Sequence, residues 1–387
     1  MSLKRLFNPF ERFFSLIEKE TRVLINDKGA MIITFFIPII SIVILATMVP
    51  EQLVSDEGGG TGIGGVVGTE IPLVGIIDYD NSEGFPDRDL SADLVAKFQE
   101  REENGECRLL ISTNQSELEK MIGRGELDTF IIIPSLFEFN LSIHLPVILP
   151  VVLDTIDSIS LMSFQEFVEG VIYEFKVENN FMGVFQLTKI RMNVPENNQT
   201  YFAAFPLLIP MLIFGIGMLT SCQAIISDIP KDRMVLTPTN KQEMMAAKVV
   251  ANTGIQLGVG FIIFISSVFM KLEIRSSYFE YAVVLFILIL NAVLTGVAIS
   301  ALAKSSLAAF QYFIFVFILN LVIMWFVQDP TILALIPLNN GSEILLQVVL
   351  RGQSLWTCFD QIMNLTVESI VLYIFAYLVF RRQKTML

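Results

Sequence analysis

Histidine is almost missing from this chain of 387 residues: His144 is the only one. That removes most acid–base and Ser-His-Asp options, and neither an HExxH pair nor a nucleophile elbow occurs. With no second histidine to share a metal, His144 reads as a surface residue. Charge is also scarce, at 17% of residues, against about a quarter in a typical soluble protein. Cysteine is limited to Cys107, Cys222 and Cys358, which form no even, spaced framework. A Cys107–Cys358 bridge stays open only if both lie on the outer side. No Gly-Lys-Ser/Thr phosphate loop exists. Gly60 to Gly65 matches G-x-G-x-x-G in form, but no strand precedes it and no helix follows, so residues 51–72 read as a flexible tether. Together these absences argue against an enzyme acting in its own right and against a bound cofactor or metal.

What is present is apolar: 53% of residues are hydrophobic, 32 of them Phe. Crossing the hydrocarbon core of a bilayer takes about 20 apolar residues. Six stretches meet that length: residues 29–50, 201–227, 249–270, 281–303, 305–328 and 361–380. Pro38 predicts a kink in the first. Residues 329–360 are apolar but broken by Pro330, Pro337, Asn339, Asn340 and Gly341. They are too interrupted for a span and read as short helices dipping into the outer leaflet. Ahead of the first crossing, residues 1–28 place Phe10, Phe13, Phe14 and Ile17 at helical spacing among Lys and Arg. That pattern fits an amphipathic helix lying in the cytosolic interface, weighed against an ordinary charged lead-in to the first crossing.

Between the first two crossings, residues 51–200 carry 26 acidic and 9 basic side chains. Such a surface is a poor partner for nucleic acid and suits a solvated exterior face. Strands are predicted at 73–78, 108–112, 128–133 and 147–153. Helices are predicted at 90–103, 115–123 and about 158–180. Alternation of this kind predicts a mixed or parallel α/β sheet. The apolar run 130–161 is no crossing, since Pro134, Glu138, Pro146, Pro150, Asp154 and Asp157 interrupt it. Asn114, Asn140 and Asn198 open glycosylation sequons that matter only in a glycosylating host.

Orientation follows from Lys and Arg. With the N-terminus inside, cytosolic segments hold 14 of them and the short outer loops three. The long acidic domain falls outside the rule. Both termini and the loop 228–248 are then cytoplasmic, and the chain is a multi-pass protein of the cell membrane.

That loop is the only sizeable polar segment between two long apolar runs of the C-terminal half. Asp228 can cap a short helix that holds Lys231, Asp232, Arg233, Met234 and Leu236, and Thr237-Pro238 forces an extended corner. Thr239 can restart a helix with Gln242 three residues on as a capping box, which places Lys241 in its first turn. The result is a structured knob for a partner's groove, weighed against a mere connector. Within the membrane, Glu368 stands alone at mid-helix, where a charge costs about 2.5–3.5 kcal/mol on insertion scales. Protonation, a hydrogen bond to a neighbouring helix and a pathway lining all remain open for it. Asn291 and Asn320 read as interhelical hydrogen-bonding groups.

Several segments resemble the permease subunits of ABC-2 type ABC transporters that carry a large extracytoplasmic domain after the first helix. Lys19-Glu20-x-Arg22, Asp27 and Pro38 resemble the basic lead-in helix and first crossing. Val74-Gly-Ile-Ile-Asp78-Tyr-Asp80-Asn-Ser82, Gly125-x-Leu127-Asp128 and Ile133-Pro134 resemble the exterior domain. Leu236-x-Pro238 followed by Lys248 is similar to the loop before the third helix. The resemblance implies a non-catalytic permease paired with a second permease, identical or different, and driven by cytosolic ABC ATPases. ATP and Mg would be used by that partner, export would be the direction, and membrane lipids would surround the helices. The competing class is a membrane-anchored sensor or scaffold whose exterior domain binds a ligand or partner.

Overall fold

The computed structural model describes residues 9–47, 71–82, 88–156, 158–181, 185–194, 199–226, 240–327 and 329–382. The chain divides into two units: Met1–Pro50 with Thr200–Leu387, and Glu51–Gln199.

The first unit opens with α1 (Pro9–Asn26) and α2 (Lys28–Thr47), bent by 78° at the single residue between them. Asp27 caps the second helix, its Oδ1 accepting the Ala30 amide at 3.1 Å. Pro38 sits inside α2. On α1, Phe10 and Phe14 are exposed, while Arg12, Phe13, Leu16, Ile17 and Glu20 turn inward at the period of one helical face.

The second unit is a five-stranded mixed sheet. Its elements are β1 (Leu73–Asp78), α3 (Leu90–Glu103), β2 (Arg108–Ile111), α4 (Gln115–Arg124), β3 (Thr129–Ile133), α5 (Phe137–Ser142), β4 (Val147–Asp154), α6 (Ser158–Glu178) and β5 (Phe185–Met192). Strand order is β2-β1-β3-β4-β5, parallel throughout except for the antiparallel β3–β4 pair. Both central strands are continuous apolar runs because each face is covered, as parallel pairing requires. Val74, Ile76, Ile131 and Ile133 point to one core with Leu94, Phe98, Val168 and Phe175. Their neighbours Ile77 and Phe130 point to the other, against Leu118 and Ile122 of α4. The strand β5 and the short helix α5 are additions to the predicted elements. Phe-Gln-Leu-Thr-Lys-Ile-Arg-Met lacks an apolar run because it forms an exposed edge paired only with β4.

The first unit resumes with α7 (Gln199–Ser221), α8 (Lys241–Phe269), α9 (Tyr278–Leu302) and α10 (Ser306–Phe326). After them come α11 (Pro330–Leu333), α12 (Pro337–Ile344), a π-helical turn (Leu345–Leu350), a 3₁₀ turn (Leu355–Cys358) and α13 (Phe359–Arg382). Among the described residues, five helices are long and apolar enough to cross a membrane, and a sixth is reached if the bent α1–α2 pair is one span. The helix α9 is the axis of the bundle, buried along most of its length, and α10 is the periphery, with little of its surface covered. Close approach of α7 to α9 depends on two glycines. A Cβ at Gly217 would meet that of Ala292 at 2.9 Å, and one at Gly296 would meet the Met218 carbonyl oxygen and the Ser221 Cβ at 2.7 Å. Small residues let helix backbones approach within the bilayer.

Pro330 and Pro337 each occupy the first turn of a short helix, the position proline tolerates best. The broken segment therefore has short helices where its prolines predict them. It is tied to the α8–α9 turn by the Arg275 amide, which donates to the Val349 carbonyl at 2.9 Å.

Candidate functional site

Two ends of the helical bundle carry polar clusters. At one, α7 begins, α8 ends and α9 begins. There the Ser267 hydroxyl lies 3.0 Å from the Tyr201 hydroxyl and 3.1 Å from that of Tyr281, all three buried. Phe205 and Phe264 pack their rings on the same tyrosines. The two tyrosines thus satisfy their polar tips inside an apolar bundle. Nothing in the spacing of residues 201, 267 and 281 announces this cluster.

At the other end α7 stops, α8 starts and α1 lies alongside. Asn240 caps α8 and forms a capping box with Glu243, whose Oε2 accepts the Asn240 amide at 3.4 Å. The sequence pattern predicts the box one residue earlier, on Thr239 and Gln242. The carboxylate of Glu243 favours the observed register because an anion is stabilised at a helix N-terminus. It also takes an ion pair with Arg12 of α1 at 3.5 Å. Lys241 turns the other way. Its Nζ donates to the Arg381 carbonyl at 3.2 Å and lies 5.8 Å from the Phe380 ring centroid, joining α8 to the end of α13.

Deeper along α8, Lys248 is 1% exposed. Its Nζ makes an ion pair with Glu20 Oε2 of α1 at 3.0 Å and donates to the Ala224 carbonyl at 2.7 Å, just past the end of α7. The other Glu20 oxygen pairs with Lys19 at 3.1 Å. Arg22 faces away, bonded to Glu18. A polar column continues up the same helix. Asn252 donates to the Lys248 carbonyl at 2.8 Å, and Gln256 donates to the Thr220 hydroxyl of α7 at 2.8 Å. Nearby, the Ile225 amide donates to the Ser300 hydroxyl at 2.9 Å, binding the end of α7 to α9.

Of the predicted loop residues, Asp228, Lys231, Asp232, Arg233, Met234, Leu236 and Pro238 fall in 227–239, outside the described residues. Lys19 and Glu20 are brought to the α1–α8 junction, and Lys241 to the end of α13. The role of Lys248 there was not legible, since a lysine just before an apolar run also reads as an ordinary helix-end charge.

Mid-bundle, Asn291 is fully buried on α9 and faces α13. Its Nδ2 lies within reach of three acceptors: the Leu365 carbonyl at 3.1 Å, the Ser369 hydroxyl at 3.1 Å and Glu368 Oε2 at 3.3 Å. Asn320 differs from the interhelical expectation. It donates to the Val316 carbonyl of its own helix at 2.8 Å.

In the α/β unit, the Asp78-Tyr-Asp80-Asn-Ser82 stretch folds on itself at the end of β1. Asp78 accepts from the Asp80 amide and the Ser91 hydroxyl, each at 2.8 Å, and Asp80 accepts from Ser82 and from the Glu138 amide. Glu138 in turn accepts the Leu90 amide at the start of α3. This is loop architecture that joins β1, α3 and α5. Among the described residues no group of three His, Cys, Asp or Glu side chains is placed to hold a metal. His144 is exposed, with φ of 57°. All three cysteines are free thiols, so no Cys107–Cys358 bridge forms. Burial pushes the Cys107 thiol up to about 11.

No curated protein matches the chain. The family of ABC-2 family transporter proteins matches it over residues 28–378. That stretch runs from the start of α2 to near the end of α13 and takes in the α/β unit and the bundle alike. A permease component built from membrane-spanning helices is what the bundle, its buried polar joints and this match have in common, and the chain belongs to the ABC-2 family of transporters.

Proposed function

We propose that the chain is the permease subunit of an ATP-driven exporter, worked by a separate cytosolic ABC ATPase seated on the loop 228–248 and on α1. A second permease, identical or different, completes the pathway, and the partner ATPase binds ATP and Mg. In this reading the Lys248 end of the bundle and both termini face the cytoplasm, and residues 51–200 form an extracytoplasmic domain. The excess of Lys and Arg in the cytosolic segments supports that orientation.

One observation carries the reading. The helix α1 is joined to the first turns of α8 by Arg12–Glu243 and Glu20–Lys248, so the lead-in helix and the downstream anchor of the loop are one mechanical piece. Force applied to the loop then has a route to α1, and through the 78° bend to α2. A passive anchor has no need of such a joint.

The test is co-purification of the full chain with the ATPase encoded by a neighbouring reading frame. The wild type is expected to retain the ATPase and its ATP turnover. Replacement of 229–236 by Gly-Ser repeats is expected to lose the ATPase from the complex. Retention by that variant would reject the loop as the contact, and the absence of any associated ATPase would reject the whole reading.

A further inference from the structure

One ammonium group joins three separate pieces of chain at the foot of the bundle. Lys248 belongs to α8, Glu20 to α1, and Ala224 to the turn that follows α7. Ala224 lies just before the segment 227–239 and Lys248 inside the helix that follows it, so both flanks of that segment meet at a single Nζ. We propose that Lys248 is a positioning residue that locks α1 to both flanks, so that the three move as one body when the loop is pushed. The proposal rests on the permease reading above and adds the group through which the push is carried.

Three physical features support it. Lys248 is 1% exposed and Glu20 7%, so their attraction acts where water screens it little. Ammonium donates in three directions, and the Ala224 carbonyl and the Glu20 carboxylate take two of them at 2.7 and 3.0 Å. The joint is also specific in register. A buried pair replaced by apolar residues of similar volume is often no less stable, so cohesion alone does not call for a charge here. A charge–carboxylate–carbonyl junction instead holds one alignment and penalises any other, because slippage leaves a buried charge without a partner. Arg12–Glu243 lies nearer the start of both helices and resists the same slip.

The remaining charged groups at this junction fit the assignment. Lys19 pairs with the second Glu20 oxygen, and Lys241 is turned towards α13. Neither takes the place of Lys248 between α1 and the Ala224 carbonyl.

Spin-label distances across the α1–α8 contact test the lock. Labels are placed at Ser15→Cys on α1 and Val250→Cys on α8, both exposed, in the full permease reconstituted with its ATPase in nanodiscs. The wild type is expected to keep one distance in the nucleotide-free and vanadate-trapped complexes. In E20Q/K248M both charges go together, so no buried charge is stranded and the melting temperature stays near that of the wild type. Vanadate trapping of this variant is expected to shift the distance by about 5 Å, one helical turn of slip. If the double variant fails to fold, E20Q alone, which keeps a neutral acceptor at position 20, is expected to show a shift of the same sign.

A nucleotide-dependent distance in the wild type, or an invariant one in the folded variants, overturns the proposal. If no ATPase assembles with the wild type, the permease reading fails separately. The lock is then decided on the permease alone: a broader distance distribution in E20Q/K248M than in the wild type supports it, and an unchanged one overturns it.

Discussion

In the α/β unit, Lys97 and Arg101 of α3 reach across to Glu178 and Glu174 of α6 at 2.8 and 2.6 Å, all four side chains partly open to solvent. In the helical unit, Lys248 reaches Glu20 at 3.0 Å with almost no exposure on either side. The chemistry is the same and the consequences differ. Exposed pairs are screened, and each contributes about 0–1 kcal/mol. In a buried pair the partners depend on each other, since removing one leaves an uncompensated charge that costs about 3–5 kcal/mol. The α/β unit is therefore held by its two apolar cores, with ion pairs as trim. The helical unit, whose helices have little hydrophobic reason to prefer one another over lipid, relies on small-residue contacts and buried polar joints.

The contrast can be broken by experiment. Phe98→Ala, in the larger core of the α/β unit, is expected to cost about 4 kcal/mol. In hydrogen exchange on the full chain, protection should fall in β1, β3 and α3 and hold in α7 to α9. Loss in both units would mean that they are not separately stabilised. Glu20→Ala strands the Lys248 charge and is expected to cost about 3 kcal/mol. The reconstituted permease should melt correspondingly lower, and added salt should change that deficit little. A deficit that salt removes would place the pair among the surface ones.

Gly296→Val forces α7 from α9 and is expected to cost about 2 kcal/mol. Melting measured beside the milder Gly296→Ala should order the two by side-chain volume, and equal melting would show that the contact is not tight. The smallest effect belongs to Lys97→Met, below about 1 kcal/mol, and it should vanish at about 1 M salt, where the screening length is about 3 Å.

The hydrogen bond to Glu178 and the surrounding carboxylates raise the Lys97 ammonium above its ordinary 10.5, against a smaller opposing push from burial. A raised value favours the folded state while the lysine is charged. The contribution is therefore whole below pH 10.5 and is lost as pH climbs through the raised value. A melting difference between wild type and Lys97→Met that grows with pH in that range would contradict the assignment.

The legible parts of the chain were those where local pattern and final environment agree. Leu73 to Asp78 and Asp128 to Ile133 read as strands because a continuous apolar run is what a strand covered on both faces needs. Pro330 and Pro337 marked their short helices because proline suits a first turn. Three of the departures from the sequence expectation have a local reason. The strand β5 carries Lys189 and Arg191 and lacks a continuous apolar run, because it is an exposed edge. The helix α8 starts one residue later than Thr239–Gln242 predicts, because Asn240–Glu243 also offers a capping box and the ion pair to Arg12 favours it. Asn320 looked like Asn291 on paper, and only Asn291 faces another helix with acceptors in range.

Hydropathy and charge by themselves determined that this chain has long membrane-compatible helices and an acidic α/β insertion, because those properties sum over many residues and tolerate local error. The pairing of Lys248 with Glu20, 228 residues apart, was decided only by the tertiary structure. A lone lysine at the end of an apolar run has the same local signature whether it points into water or into a carboxylate. Folding α1 against α8 is what removes the water and turns an ordinary boundary charge into a buried joint.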